Sequence, residues 1–187
     1  MDEFNYLGVL ISIILGLGIT RLLQGLGQQI EFRTQVRGYW PSLAWAVILL
    51  VIHIQTWWSM FPLRYKQDWT FLGFLIVLLQ PIVLYLLAAV VLPAPQSGER
   101  VDLRAHYYGQ SRWFFGLFVM LLLISLAKGL MLSGGRLDPV DLAFHLAFLS
   151  TSVACAVSAR PRVHETVTVA TAALIAVYIA ELFSRLR

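Results

Sequence analysis

Apolar stretches of roughly 20 residues, the length of helix that crosses a ~30 Å hydrocarbon core, recur six times along this chain, set apart by short polar and charged clusters. Inside lipid every backbone N–H and C=O needs a partner within its own segment, so each stretch must be helical. The predicted spans cover residues 5–28, 40–61, 69–92, 113–132, 139–158 and 163–183. The expected fold is therefore all-α: one domain, 1–187, built as a polytopic membrane bundle of six transmembrane helices. Six spans consume nearly the whole chain, so any function has to be built from the bundle and its rims.

Composition agrees. Hydrophobic residues make up 59% of the chain and charged residues 13%, about half the charged share of a soluble protein. Too few charges remain to coat a globule. The formal charge of +4 does not mark a nucleic-acid surface, because the basic residues sit beside apolar segments, where they set topology and meet headgroups. Cys155 is the single cysteine, which excludes an internal disulfide and a CxxC redox pair.

The opening MDEFNYLG is acidic where a secretory signal is basic, so the first segment reads as a retained span. Arg33, Arg37, Arg100, Arg104, Arg112, Arg160 and Arg162 fall on the side of the first, third and fifth connections. Arg64, Lys66, Arg136, Arg185 and Arg187 fall on the other. The excess places both termini on the outer side of a bacterial-type cytoplasmic membrane. The one long connection, 94–112, mixes Leu103, Tyr107 and Tyr108 with Arg104, His106 and Arg112, a pattern that suits a segment lying in the headgroup layer. The Ser133-Gly134-Gly135 run supplies the glycines expected after a helix C-terminus.

Small residues recur every fourth position. Gly8, Ser12, Gly16 and Thr20 do so on the first span, Ala143, Ala147, Thr151, Cys155 and Ala159 on the fifth, and Thr168, Ala172, Ala176 and Ala180 on the sixth. Such stripes allow close backbone approach in lipid, either within the chain, in a homo-oligomer, or against other membrane subunits. Prolines near the start of the second and fifth spans, in YWPS and LDPVD, and late basic residues on the first and fourth hint at two related three-helix halves.

Ionisable groups inside a span face a bundle interior or a water-filled space by default. Arg21, His53, Lys128, His145 and Glu181 are the candidates, with Gln24, Gln55, Gln80, Thr151 and Tyr178 as polar companions. At ~1.5 Å per helical residue, His53 and His145 both fall about 10 Å below the outer edge, with Lys128 and Glu181 within a turn or two of that surface. Arg21 lies in the inner half, where its long side chain snorkels to the interface. Glu181 has Arg185 as an i,i+4 partner. Asp138 and Asp141 open the fifth span as capping residues, and Asp141 also lies one turn before His145. Gln80-Pro81 puts a kink and an amide near the midplane, where freed carbonyls line cavities.

Three functional readings follow. The leading one is an ion or small-solute channel or transporter whose outer vestibule is lined by His53, Lys128, His145, Glu181 and Gln80, with Arg21 deeper. The second is a haem-binding electron-transfer subunit in which His53 and His145 act as axial ligands of haem b. The third is a non-catalytic accessory or assembly subunit. A zinc site would need His53, His145, Asp141 and Glu181 to assemble, and no metal is expected. No GxGxxG, GxxxxGK[ST], HExxH or GxSxG motif occurs, so an enzyme of those classes has no support.

Overall fold

The computed structural model describes residues 3–65, 69–94, 100–132, 135–136 and 138–185. Six helices dominate: α1 (Glu3–Glu31), α2 (Trp40–Ser59), α3 (Phe71–Val91), α4 (Leu103–Leu132), α5 (Pro139–Val157) and α6 (Pro161–Arg185). All six are long and apolar enough to cross a membrane. The protein is thus a multi-pass membrane protein with an all-α bundle.

Local chemistry sets the helix ends. Thr70 caps α3 by accepting the Gly73 N–H at 3.1 Å. Asp138 caps α5 by accepting the Val140 N–H at 2.8 Å, with Pro139 in the first turn where a missing N–H costs nothing. Past α4, Gly135 adopts φ +88° and its N–H returns to the Leu130 carbonyl at 2.9 Å, a left-handed stop that favours glycine. Ser133 and Gly134 lie outside the described residues.

Five predicted spans match their helices to within three residues at either end. The fourth does not: α4 begins at Leu103, ten residues before the expected 113. Asp102 is the reason, because its Oδ1 accepts the N–H groups of Arg104 (2.8 Å) and Ala105 (3.1 Å) and so starts a helix in polar sequence. Residues 103–112 of the long connection form the first turns of α4, with Leu103 and Tyr107 buried in the core.

Packing runs α2 to α3, α3 to α4, α4 to α5, α5 to α6, and α6 back to α2, which closes a ring of five helices. Helix α1 lies outside that ring against α2 and α3. The halves do not pack alike: α1 lies along α3, whereas α4 and α6 meet through side chains such as Tyr107 and His164. One rim carries the ends of α1, α3 and α5 and the starts of α2, α4 and α6. There β1 (Val36–Arg37) pairs in parallel with β2 (Val101–Asp102), and Arg37 sits 3.5 Å from Asp102. We call this the strand rim.

The half of the ring nearest the strand rim is filled by aromatic side chains. Trp45 of α2 reaches across to Phe114, Phe115 and Phe118 of α4 at centroid distances of 5.1, 5.4 and 5.4 Å, all edge-to-face. Nearer the rim, Tyr107 is hydrogen-bonded to His164 of α6 at 3.0 Å and Tyr39 to Tyr108 at 3.0 Å. Burial, and then the bond to Tyr108, keep the Tyr39 phenol protonated well above its usual range.

Candidate functional site

The opposite half of the ring is not filled. A cavity of about 90 Å³ lies there, bounded by side chains from α2 to α6 and none from α1. Several waters fit such a space, each needing roughly 10–15 Å³ of it. Phe118 is shared between cavity and aromatic cluster, so the edge-to-face packing on Trp45 forms the cavity floor. The walls are mixed. Phe144, Phe148 and Ile175 give apolar surface, and Gln55, Thr56, Gln80, Ser125, His145 and Tyr178 give polar groups.

His145 is held firmly. Its Nδ1 lies 2.8 Å from the Asp141 carbonyl, which only accepts, so Nδ1 carries hydrogen. Its Nε2 lies 3.1 Å from Ser125 Oγ of α4. The Asp141 carboxylate stands 3.7 Å from Nδ1 and accepts the Tyr178 hydroxyl of α6 at 3.1 Å. Lys128, one turn beyond Ser125 on α4, is buried within electrostatic reach of the same carboxylate. The Tyr178–Asp141 bond joins α6 to α5 and the Ser125–His145 bond joins α4 to α5, with the Lys128 charge nearby on α4. Across the cavity, Thr56 Oγ1 and Gln80 Oε1 are buried with no hydrogen-bond partner among the described residues. A buried polar atom left so costs about 1–3 kcal/mol.

The expected constellation is therefore only partly assembled. His145 and Gln80 line the cavity and Lys128 flanks it. His53 does not: it is fully buried on α2, its Nδ1–H donates to the Leu49 carbonyl at 2.7 Å, and its Nε2 abuts the backbone of Gly18 on α1. Equal depth put the two histidines at one level, but depth carries no information about rotation round the helix axis. Arg21 is half-buried on α1, outside the ring. Glu181 is exposed, one turn past Tyr178, and its expected partner Arg185 is the last residue of α6. Of the two capping aspartates, Asp138 caps, whereas Asp141 takes Tyr178.

Axial ligation of a haem needs both imidazoles facing one space; here His53 points at α1 and His145 Nε2 meets Ser125. Among the described residues no three His, Cys, Asp or Glu side chains come together as a metal site.

Ser125 and His164 escaped the sequence reading. Ser125 had a signal, since it lies three residues before Lys128 and so on the same helix face. His164 sits in PRVHET at the start of α6, where a rim position hid it; it is fully buried, with Nε2–H donating to the Ser158 carbonyl at 2.7 Å and Nδ1 accepting from Tyr107. The small-residue stripe of α1 is also differently used. A Cβ at Gly8 or Gly16 meets open space, whereas one at Gly18 runs into His53.

No known protein family matches the chain, and neither a curated protein nor a solved structure is similar to it. Function is therefore argued from the site alone.

Proposed function

We propose that the protein is a channel or transporter for an ion or small solute, and that the five-helix cavity is its binding vestibule. The observation that carries this reading is the pair of unpartnered buried acceptors, Thr56 Oγ1 and Gln80 Oε1, facing a space also lined by His145 and flanked by Lys128 and Asp141. Polar groups are costly at membrane depth and by default face the bundle interior or a water-filled space. The aromatic floor of Trp45, Phe114, Phe115 and Phe118 then acts as the closed barrier towards the strand rim. On the arginine excess of the strand rim, that rim faces the cytoplasm, the vestibule opens outward, and both termini are outside.

The exposed Gly8–Gly16 face of α1 and the Ala172–Ala180 face of α6 fit self-association, because lipid gives helices no hydrophobic drive and close contact between small residues supplies one. An accessory subunit would use these same faces on another membrane protein.

Osmotic reswelling of proteoliposomes tests the reading with KCl, NaCl, urea and glycerol as probes. At least one probe is expected to enter faster than in empty vesicles, and Gln80→Leu to abolish the excess. Rates equal to empty vesicles for every probe, and for protons, would leave the accessory role.

A further inference from the structure

We infer that the cavity handles protons, with Nε2 of His145 as the group that takes and releases them; this rests on the pathway reading above. Each of the chain's four histidines has a distinct setting. His53 is sealed against Gly18, His164 has both nitrogens engaged at the strand rim, and His106 bonds the Val90 carbonyl at 3.0 Å. Among the described residues only His145 lines the cavity.

The hydrogen bonds assign its chemistry. Nδ1 must hold its hydrogen for the Asp141 carbonyl, so Nε2 is the basic nitrogen, and in the neutral ring it accepts from the Ser125 hydroxyl. A hydroxyl is both donor and acceptor. A hydronium in the cavity gives a proton to Ser125 Oγ as the Ser125 hydrogen passes along its bond to Nε2: the hydronium is left as water, the new Nε2–H donates to Ser125 Oγ, and the hydrogen Ser125 has received points into the cavity. No heavy atom has to move. Thr56 and Gln80 bound the facing wall of the same cavity.

The charges around the ring suit a proton that comes and goes. Asp141 stands 3.7 Å from Nδ1 as counter-ion, and Lys128 from α4 competes for the same carboxylate. From α6, Tyr178 donates to that carboxylate and Glu181 lies one exposed turn further on. From α2 and α3 the cavity wall supplies only the uncharged Gln55, Thr56 and Gln80. A proton on His145 thus adds a second positive charge beside the carboxylate whose field Lys128 already feels, where Tyr178 joins α6 to α5.

The test uses the full chain in K⁺-loaded vesicles with a pH-sensitive dye inside, valinomycin setting an inside-negative potential. Wild type is expected to acidify the lumen faster than empty vesicles. His145→Gln, which keeps an N–H donor and has no basic nitrogen, is expected to fall to the empty-vesicle rate while eluting and melting like wild type. If that variant does not fold, wild type labelled with ¹⁵N-histidine decides: the Nε2 resonance coupled to Ser125 must move to its protonated position within the pH range of about 5–8 where imidazoles titrate. Acidification unchanged in His145→Gln, or an Nε2 that stays unprotonated over that range, overturns the proposal. Solute-driven reswelling without proton entry also overturns it and leaves the pathway reading standing. Proton entry lost in His145→Gln without solute reswelling supports it, with the proton as the conducted ion. If neither protons nor solutes pass, both readings fall.

Discussion

Gly18→Ala isolates the tightest approach in the bundle. The added Cβ would stand 2.9 Å from His53 Cδ2 and closer still to Nε2, against ordinary contact at 3.4–4 Å. An imidazole cannot bend away as a lysine would. Turning it breaks the 2.7 Å bond from Nδ1 to the Leu49 carbonyl in a fully buried setting, a loss of about 1–3 kcal/mol. Pushing α1 outward instead is overpacking, which costs about the same. Either route gives roughly 2 kcal/mol, and at about 2–4 °C per kcal/mol for a chain of this size the melting temperature should fall by roughly 4–8 °C. Gly16→Ala is the matched control: its Cβ meets nothing within 4 Å, so it should stay within about 0.5 kcal/mol of wild type. In a His53→Ala background the cost of Gly18→Ala should disappear, making the coupling as large as the single effect. Thermal melts in detergent of the four chains complete the cycle. If Gly18→Ala melts with Gly16→Ala, or costs the same with His53 removed, the contact does not hold α1 to α2.

Two further outcomes are expected. Tyr107→Phe strands the buried His164 Nδ1 and should cost about 1–3 kcal/mol in a thermal melt; a melt unchanged from wild type would show that the strand-rim bond contributes nothing. The N–H groups of Ala105 and Arg104, with Arg37 nearby, hold the Asp102 carboxyl below its ordinary value of 3.8. A carboxyl depressed on folding stabilises above its unfolded pKa, and that contribution is lost as pH falls through the lower folded value. Asp102→Asn should therefore lower stability at neutral pH and flatten the acid limb of the stability profile. An acid limb identical to wild type would count against Asp102 as the start of α4.

The spans were legible because a membrane leaves so little choice: apolar length alone places α1, α2, α3, α5 and α6. The start of α4 was not, since hydropathy stops at Arg112 whereas a helix stops where its hydrogen bonds do, and Asp102 carries them ten residues further back. For the site, depth sufficed to bring Lys128 and His145 to the same end of the contacting helices α4 and α5, and spacing along α5 brought Asp141 to His145. It failed for His53, whose rotation towards Gly18 is set by which neighbour offers a gap, information held in tertiary packing. Gly18 itself lay outside the four-residue period of the Gly8–Gly16 stripe, so no pattern in the sequence marked it.

Thiol accessibility tests most directly whether the five-helix cavity is a hydrated vestibule. Cys155 is fully buried, so wild type serves as the unlabelled background. Gln55→Cys and Ser125→Cys place thiols on the cavity wall, Ile54→Cys places one on the exposed apolar face, and Leu49→Cys one in the sealed core. A small charged methanethiosulfonate is added to one side of oriented vesicles and the intact mass is read. The account predicts that both cavity thiols are modified from the side opposite the strand rim and protected from the strand-rim side, with Ile54→Cys and Leu49→Cys unmodified from either. Cavity thiols that react no faster than Leu49→Cys from both sides would show a dry, closed packing defect and contradict it.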